Sequence, residues 1–397
     1  MQELLIDINK EEKNILLVEN GKLIERYIER EEQERLEGNI YLGIVENVLP
    51  GMQAAFVDIG KDKNTFIHIR DIVPKVSNET GNKNEDFSEY NIKNYLKVGM
   101  PILVQVKKDS TNKKGARISA HLSIPGRFVV IMPKENFVTI SQKIDDEEER
   151  KRLKNILKEN IPDGYGAIIR TSAMSKSEEE IVEDVKQTIQ TYEDIKKNYQ
   201  IEANKGKNIK PKLIYKSEDI TLRILTDLMD QELTRIVTNN KMMYSQIEEK
   251  LKKANKTIKV DLQENVLDIY NLNQQLESLQ SRKIWLKCGG FITIDKTEAL
   301  TAIDVNSGKY TGKKDLEQTI FTVNKEATVE IAKQLRLRDI GGIIIIDYID
   351  MQNKENEEKI IKIFEEQLKK DRSKTQIVGF SKLNLLEMTR KHMCSND

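Results

Sequence analysis

Two aspartates each end a predicted strand in the last third of the chain. Asp304 follows Leu-Thr-Ala-Ile, and Asp347 follows four consecutive isoleucines. Because the second run is apolar without alternation, it predicts a central strand covered on both faces. Asp347 would then emerge at the carboxyl edge, where open α/β sheets bind ligands, with Asp304 beside it if the strands are neighbours.

Two converging carboxylates favour a bound cation between them. Hard oxygen ligands with no histidine nearby predict magnesium, with manganese as an alternative, rather than zinc. Cleavage of a phosphate ester is one natural use of such a centre. On spacing alone, however, a turn residue or helix N-cap is favoured over a metal ligand by about two to one.

Two residues close to these aspartates are ambiguous. The amide of Asn306 could orient a scissile phosphate or an attacking water, but Asn-Ser-Gly is equally an ordinary turn. Asp350 is interpreted as a group that orients Asp347 or caps the next helix.

The surrounding pattern predicts an α/β layered unit that would position these side chains. Strands are expected at 290–295, 299–304, 342–347 and 375–379, and helices at about 315–337 and 354–370. In the first helix apolar residues recur every three or four positions, and Gly341-Gly342 would end it.

The first third predicts a small β unit followed by a barrel. Residues 1–35 alternate apolar and polar around Asn20-Gly21, which is typical of a hairpin. Short β-rich runs between Gly38 and Ser119, with glycine turns, indicate a small barrel interrupted by a polar loop at 75–94. The middle predicts a third unit, with strands at 128–133 and 166–170 and a helix at 146–157. Helix-favouring stretches follow at 176–199 and 217–253.

The barrel carries a second candidate constellation. Phe56 and Phe66 lie in adjacent β runs, and basic residues cluster near the barrel's end: Lys107, Lys108, Lys113, Lys114 and Arg117. Aromatic faces stack on unpaired bases while cations follow phosphates, which is the usual arrangement for single-strand binding. For an isolated strand phenylalanine, a core position is favoured by about three to one.

Composition bounds these interpretations. A chain of 397 residues predicts several domains. Charged residues make up 33% of the chain with 65 of each sign, so a nucleic-acid ligand would need a local basic patch. Cys288 and Cys394 are too few for a disulfide framework. No apolar run is long enough to span a bilayer, and we expect a cytoplasmic protein.

Four segments, in order and at these separations, resemble the bacterial ribonuclease E/G family, nearest to its shorter form without a scaffold tail. They are GNIYLGIVENVLPGMQAAFVDIG, TEALTAIDVNSG, EIAKQLRLRDIGGIIIIDYIDM and LLEMTRK. The resemblance implies a multidomain α/β and β architecture. It consists of an RNase H-like subdomain (1–35 and 216–279), an inserted OB-fold RNA-binding barrel (36–119), a five-prime sensor subdomain (120–215) and a DNase I-like catalytic subdomain (280–397).

The resemblance also implies residue roles. Asp304 and Asp347 become magnesium ligands, and Asn306 positions the scissile phosphate. RNA-contacting positions of the barrel fall on Phe56, Phe66 and Lys114. The five-prime phosphate sensor falls on Gly126, Val130, Arg170, Thr171 and Lys374.

The sensor departs from the family pattern at two positions. Gln142-Lys143 and Lys374 stand where better-studied members carry arginine, and lysine lacks the bidentate fork of arginine. We therefore expect a weakened preference for monophosphorylated RNA ends.

The family's zinc link is not expected here. In the family, a zinc ion is held by the thiolates of two CxxC motifs, one from each of two chains. Here only Cys394 stands in the corresponding segment, and one cysteine cannot supply this chain's half of the site. Either the chain is truncated relative to its relatives or it assembles differently, which leaves a homo-oligomer open.

The sequence predicts a magnesium-dependent endoribonuclease that cuts single-stranded RNA in RNA decay and rRNA processing, leaving five-prime phosphate and three-prime hydroxyl ends. The alternatives are a non-catalytic RNA-binding or scaffold protein of the same architecture, and a phosphodiesterase that acts on DNA or a small nucleotide.

Overall fold

The structure, a computed structural model, describes residues 1–30, 35–73, 90–110, 115–230, 232–308 and 316–393. The strands are β1 Gln2–Ile8, β2 Glu12–Glu19, β3 Lys22–Arg30, β4 Ile40–Leu49, β5 Ala54–Asp58, β6 Thr65–His68, β7 Pro101–Lys108, β8 Arg117–Ser119, β9 Ile124–Pro125, β10 Val129–Pro133, β11 Val138–Ile140, β12 Tyr165–Ile169, β13 Lys212–Tyr215, β14 Leu233–Thr238, β15 Lys259–Leu262, β16 Lys283–Trp285, β17 Phe291–Lys296, β18 Leu300–Asn306, β19 Gly342–Asp347, β20 Thr375–Phe380 and β21 Leu385–Arg390. The α-helices are α1 Glu147–Asn160, α2 Glu178–Ala203, α3 Ile220–Leu228, α4 Lys241–Lys253, α5 Leu272–Ser278, α6 Leu316–Leu337 and α7 Lys354–Leu368.

The chain forms two compact units. The first contains residues 1–34 and 228–396, and the second contains residues 35–227. The subdomain boundaries implied by the family resemblance stay predictions.

A five-stranded sheet in the first unit joins the two ends of the chain, in the order β15-β14-β1-β2-β3. Strands β2 and β3 form the predicted hairpin, and Asn20 and Gly21 at its turn both have positive φ, 50° and 77°. Such a two-residue turn matches the twist of the flanking strands. Strand β1 then pairs in parallel with β14, more than 200 residues later.

The prediction that 217–253 favours helix is wrong at its centre. Leu233 and Ile236 lie on strand β14. The segment Leu-Thr-Arg-Ile-Val-Thr is rich in β-branched residues, and parallel pairing with β1 outweighs the helical spacing.

A six-stranded sheet, ordered β16-β17-β18-β19-β21-β20, completes the first unit. Helices α6 and α7 contribute Val323, Ile331 and Phe364 to one buried cluster with the inward residues of this sheet, such as Ile303 and Ile344. The predicted α/β pattern is confirmed, although strands β16 and β21 were not predicted. Strand β16 has three residues, and β21 is the LLEMTR part of a family motif.

The second unit contains a closed five-stranded barrel. Its order is β4-β5-β6-β8-β7, and β7 closes it by pairing with β4. The predicted barrel is confirmed, and its closure is consistent with an OB-like fold. Most of the predicted polar loop at 75–94 lies outside the described residues, which exclude 74–89.

The second unit also contains a four-stranded sheet, β11-β12-β10-β9, which packs against α1 and α2. The buried cluster between them includes Ile131, Leu153, Ile169 and Ile181. A capping box at Ser177 and Glu180 begins α2. No helix among the described residues has the length and apolar character that a membrane crossing requires.

Candidate catalytic site

Asp304 and Asp347 are direct register partners on the neighbouring parallel strands β18 and β19. Exposed and buried residues alternate along β18, and at the end of β19 Asp347 is exposed beside the buried Ile346. Both carboxylates therefore stand on the exposed face of the sheet. Because neighbouring strands are about 4.8 Å apart, the two side chains lie next to each other, as their sequence positions predicted.

Strand β19 is not covered on both faces, which corrects the expectation from its isoleucine run. Ile344 and Ile346 are buried against the helices, while Ile343 is 52% exposed and Ile345 is half-buried. An uninterrupted apolar run does not distinguish a doubly covered strand from one with an open face, and here the open face carries the carboxylates.

Asn306 belongs to the same constellation. Strand β18 continues through Asn306 instead of ending at Asp304, so Asn306 is the last residue of the strand. Two residues apart on a strand, the two side chains share a face, and Nδ2 of Asn306 donates to Oδ2 of Asp304 at 2.5 Å. Gly290 on the adjoining turn permits this close packing, since a Cβ there would lie 2.8 Å from the Asn306 carbonyl oxygen.

The segment that follows Asp347 is held by α6. The buried amide of Asn324 donates to the Ile349 carbonyl at 2.8 Å and accepts from the Ile349 N–H at 3.2 Å. Asp350 does not cap the next helix, because Asn353 is the N-cap of α7. Instead Asp350 accepts a long hydrogen bond from Asn384 at 3.5 Å. Sequence reasoning missed Asn324, whose position in a helical repeat gave no signal of a loop contact.

Asp347 has acidic neighbours. Partial burial raises the pKa of Asp347, and the neighbouring carboxylates of Asp304 and Asp350 raise it further. Among the described residues, no group of three or more His, Cys, Asp or Glu side chains is arranged to hold a metal ion. Two carboxylates fit magnesium nonetheless, since Mg²⁺ usually binds through one or two carboxylates plus waters and substrate phosphates.

The barrel brings its two predicted aromatic residues together. Phe56 and Phe66 are cross-strand partners on β5 and β6, with ring centroids 6.2 Å apart in an edge-to-face arrangement. Both are half-buried and lie outside the barrel's buried cluster, so the core interpretation is wrong.

The basic cluster near the barrel's end is only partly described. Lys114, the predicted RNA-binding lysine, lies outside the described residues, as does Lys113. Lys107 donates to Gln105 at 2.6 Å and Ser123 at 3.1 Å, and Arg117 forms an ion pair with Asp71 at 3.0 Å. In the described part of the chain, these two cations already have protein partners.

Four of the five predicted sensor residues, Gly126, Val130, Arg170 and Thr171, fall at one end of the four-stranded sheet. Arg170 donates to the Gly126 carbonyl at 2.8 Å and forms an ion pair with Asp227. Gly126 has no room for a side chain, because a Cβ would lie 2.6 Å from the Asp184 carboxylate.

Asp184 fixes the turn after Gly126 by accepting three backbone N–H bonds, from Arg127, Phe128 and Val129. Burial raises the pKa of Asp184, although these three bonds oppose the shift. Val130 is half-buried and Thr171 is exposed, whereas Lys374 is exposed on the first unit.

A row of residues that sequence reasoning missed adjoins strand β18, which carries Asp304 and Asn306. Trp285 on β16 pairs with Phe291 on β17, and Phe291 pairs with Asn306. Lys283 is two residues before Trp285 and lies over both rings. The available signal was the sole tryptophan of the chain, close to a glycine-rich turn and a β-rich run.

The profile of the Ribonuclease E/G family matches residues 123–393. The chain belongs to this family. It is 38% identical to Ribonuclease G of Salmonella typhimurium (strain SL1344) over 394 residues, which cover 98% of this chain and 79% of that protein. Identity to Ribonuclease G of Haemophilus influenzae is 37%, with the same coverage. Ribonuclease E of Nostoc sp. (strain PCC 7120) is 34% identical over 97% of this chain and 56% of its own length.

The resemblance to the ribonuclease E/G family is thus confirmed over nearly the whole chain. The profile match includes the three predicted catalytic residues Asp304, Asn306 and Asp347 and begins after the barrel. The roles of the individual residues stay predictions. The expected absence of the zinc link also stays a prediction, because Cys394 lies outside the described residues.

Proposed function

We propose that this endoribonuclease is magnesium-dependent and cuts single-stranded RNA, leaving five-prime phosphate and three-prime hydroxyl ends. The observation that carries the proposal is the register pairing of Asp304 with Asp347 on an exposed sheet face. Two carboxylates side by side repel each other unless a cation or a proton intervenes.

Asp304 and Asp347 would hold the magnesium ion. When bound, it would polarise the scissile phosphate and lower the pKa of a water so that hydroxide can attack in line. The protein's own groups do the orienting. The Asn306 amide donates to Asp304 and can donate a second hydrogen to a phosphate oxygen, since an amide nitrogen carries two donors.

Attack by water on phosphorus, with departure of the three-prime oxygen of the preceding ribose, produces the proposed ends. The two-prime hydroxyl of the ribose is then not the nucleophile. An RNA strand whose two-prime hydroxyl is blocked would therefore remain a substrate. Cleavage of single strands is supported by the barrel, where Phe56 and Phe66 are exposed enough to meet unpaired bases.

The family also suggests names for the observed sheets. We propose that β1–β3 with β14 and β15 form the RNase H-like subdomain and that the six-stranded sheet forms the DNase I-like catalytic subdomain. The barrel would be the OB-fold RNA-binding domain and the four-stranded sheet the five-prime sensor. We place the activity in cytoplasmic RNA decay and rRNA processing.

Replacement of Asp304 by asparagine tests the proposal. We expect cleavage of a labelled single-stranded RNA in magnesium to fall by about a thousandfold, the scale of losing a main electrostatic contributor to catalysis. Asp295→Asn is the matched control, because Asp295 lies on the neighbouring strand but is ion-paired with Arg282. EDTA should abolish cleavage by the unmodified chain, and a matched DNA strand should be cut more slowly than the RNA.

Wild-type cleavage by a folded Asp304→Asn variant would refute the metal assignment. Binding of RNA without any cleavage by the unmodified chain would favour the non-catalytic alternative, and equal cleavage of DNA would favour a different phosphodiesterase.

A further inference from the structure

An aromatic cluster stands on the same exposed sheet face as the catalytic carboxylates. The rings of Trp285 and Phe291 meet edge to face with centroids 5.3 Å apart. Nζ of Lys283 lies 4.1 Å from the Trp285 centroid and 3.6 Å from the Phe291 centroid. Trp285 is 62% exposed despite these contacts. We call Lys283, Trp285 and Phe291 the Trp285 platform.

Strand register ties the platform to the catalytic residues. One row across the sheet is Trp285, Phe291 and Asn306, and the next is Lys283, Thr293, Asp304 and Asp347. With about 4.8 Å between strands, the backbone of Trp285 lies about 10 Å from that of Asn306. A nucleic-acid strand that advances 3.4 Å or more per nucleotide crosses this distance in about two or three nucleotides.

The platform is not explained by packing of the fold. Ile284 between its members is the residue that packs against the buried cluster, whereas Lys283 and Trp285 project to the other side. The turn that joins β16 to β17 is nevertheless held firmly. Glu326 on α6 accepts the N–H groups of Lys287 at 2.6 Å and Cys288 at 2.9 Å.

We propose that the Trp285 platform stacks an unpaired nucleobase of the RNA strand whose scissile phosphate is bound at Asp304, Asn306 and Asp347. The inference rests on the proposed endoribonuclease function and adds a substrate contact to it. Every base has a π-face, so an exposed indole accepts any of them. Lys283 supplies a cation where the adjoining carboxylates supply none, and its long stem lets the ammonium reach a phosphate of the same strand.

Trp285 is the only tryptophan of the chain, so its fluorescence reports on the platform directly. The experiment titrates an unlabelled A/U-rich single-stranded RNA of about twelve nucleotides into the Asp304→Asn variant in magnesium. Binding is followed in parallel by the anisotropy of an end-labelled copy. We expect saturable quenching of the Trp285 emission with the same midpoint as the anisotropy change.

An abasic scan gives the second readout. One abasic nucleotide is moved along the RNA, and cleavage is measured with the unmodified chain, Trp285→Ala, Trp285→Phe and Met242→Ala. Met242 on α4 is 69% exposed and is the control for loss of an exposed apolar side chain. We expect Trp285→Ala to raise KM about tenfold with little change in kcat, and Trp285→Phe to recover most of the loss.

The decisive result is a coupling. In the unmodified chain, an abasic nucleotide at one position, about two or three nucleotides from the cut, should cost about tenfold in kcat/KM, and in Trp285→Ala it should cost nothing further. Identical abasic profiles in both chains, or RNA binding without quenching, overturn the platform while leaving the cleavage proposal intact.

Two other outcomes also count against the platform. Absence of both RNA binding and RNA cleavage by the unmodified chain overturns both proposals. A Trp285 emission that depends on protein concentration and not on RNA assigns this face to a second copy of the chain instead.

Discussion

Asp304 and Asp347 stand on an exposed sheet face. Neither carboxylate forms an ion pair with a Lys, Arg or His side chain among the residues that the structure describes. Arg170 in the other unit, by contrast, already has an ion pair with Asp227. The first site gathers like charges that a cation would relieve, whereas the second offers a phosphate a cation that must first exchange its partner. Under the proposed function, the carboxylate pair is a cleavage centre that a metal ion would stabilise, and the Arg170 site is a phosphate sensor with a competing internal anion.

Asp347→Asn tests the unmatched side of this contrast and should have the largest effect. We expect cleavage to fall about a thousandfold, while Asp350→Asn, which removes a charge without removing a proposed ligand, should cost less than about tenfold. In EDTA the thermal unfolding midpoint of Asp347→Asn should exceed that of the unmodified chain, because a repulsive carboxylate is gone. Magnesium should narrow or reverse this difference. Equal losses of cleavage in the two variants would contradict the division of roles.

Arg390→Met tests how much a buried, fully ion-paired charge contributes to the free energy of unfolding. Arg390 donates to Asp371 at 2.8 Å and to Asp339 at 2.7 Å, and all three side chains are buried. Removing the cation leaves two buried carboxylates without it, which should cost about 3 to 5 kcal/mol in the free energy of unfolding by urea.

Arg282→Met is the matched control for that experiment. Arg282 is also bidentate to a carboxylate, that of Asp295, but the pair is exposed to water. Its loss should leave the urea midpoint unchanged within error. A similar decrease in the free energy of unfolding in both variants would mean that burial does not determine how much these ion pairs contribute to stability.

Asp227→Asn tests the matched side of the contrast at the proposed sensor. With its internal partner neutralised, Arg170 should bind a five-prime monophosphate more readily, and we expect the ratio of kcat/KM for monophosphorylated over hydroxylated RNA to rise about tenfold. The unmodified chain should show a weak preference. Asp194→Asn, on the exposed face of α2, is the control. An unchanged or smaller ratio in Asp227→Asn would show that Asp227 does not compete with the phosphate.

The sequence predicted elements whose local signals and tertiary contacts agree. The hairpin at Asn20-Gly21, the barrel strands and the pairing of Asp304 with Asp347 followed from turn chemistry, β propensity and strand ends. The family resemblance supplied the roles, because spacing alone favoured a turn for the aspartates.

Where local and tertiary preferences disagree, the sequence misled. Strand β14 looked helical because Leu233 and Ile236 are three residues apart, and its pairing with β1 outweighs that spacing. The open face of β19 could not be predicted, since isoleucine fits a covered or an open face equally well. Strand β16 is too short for a pattern, which hid Trp285 and Lys283. Ion pairs such as Arg170 with Asp227 join residues 57 apart and leave no local signal.

A smaller effect on stability should come from His68 on the barrel, which has two cations as neighbours. Burial lowers the pKa of His68, the cations Arg70 and Arg117 lower it further, and Asp71 opposes them. Its Nδ1 also accepts the Arg70 N–H at 3.2 Å, which requires that nitrogen to be unprotonated. A folded pKa below the unfolded value of about 6.5 means that the unfolded state takes up the proton first. The contribution of neutral His68 to the free energy of unfolding is therefore fully present above the unfolded pKa. It is lost as the pH falls from there through the folded pKa.

We therefore expect the urea midpoint to decline between pH 7.5 and 5.5 by less in His68→Gln than in the unmodified chain. Bound RNA should act in the opposite direction on the pKa of His68, because phosphates near Phe66 and His68 favour the protonated ring. An NMR titration of the His68 ring with and without single-stranded RNA measures both. If RNA leaves the His68 pKa unchanged while it binds, the strand does not pass this face of the barrel. The positive charges of Arg70 and Arg117 would then have no role in binding the RNA strand.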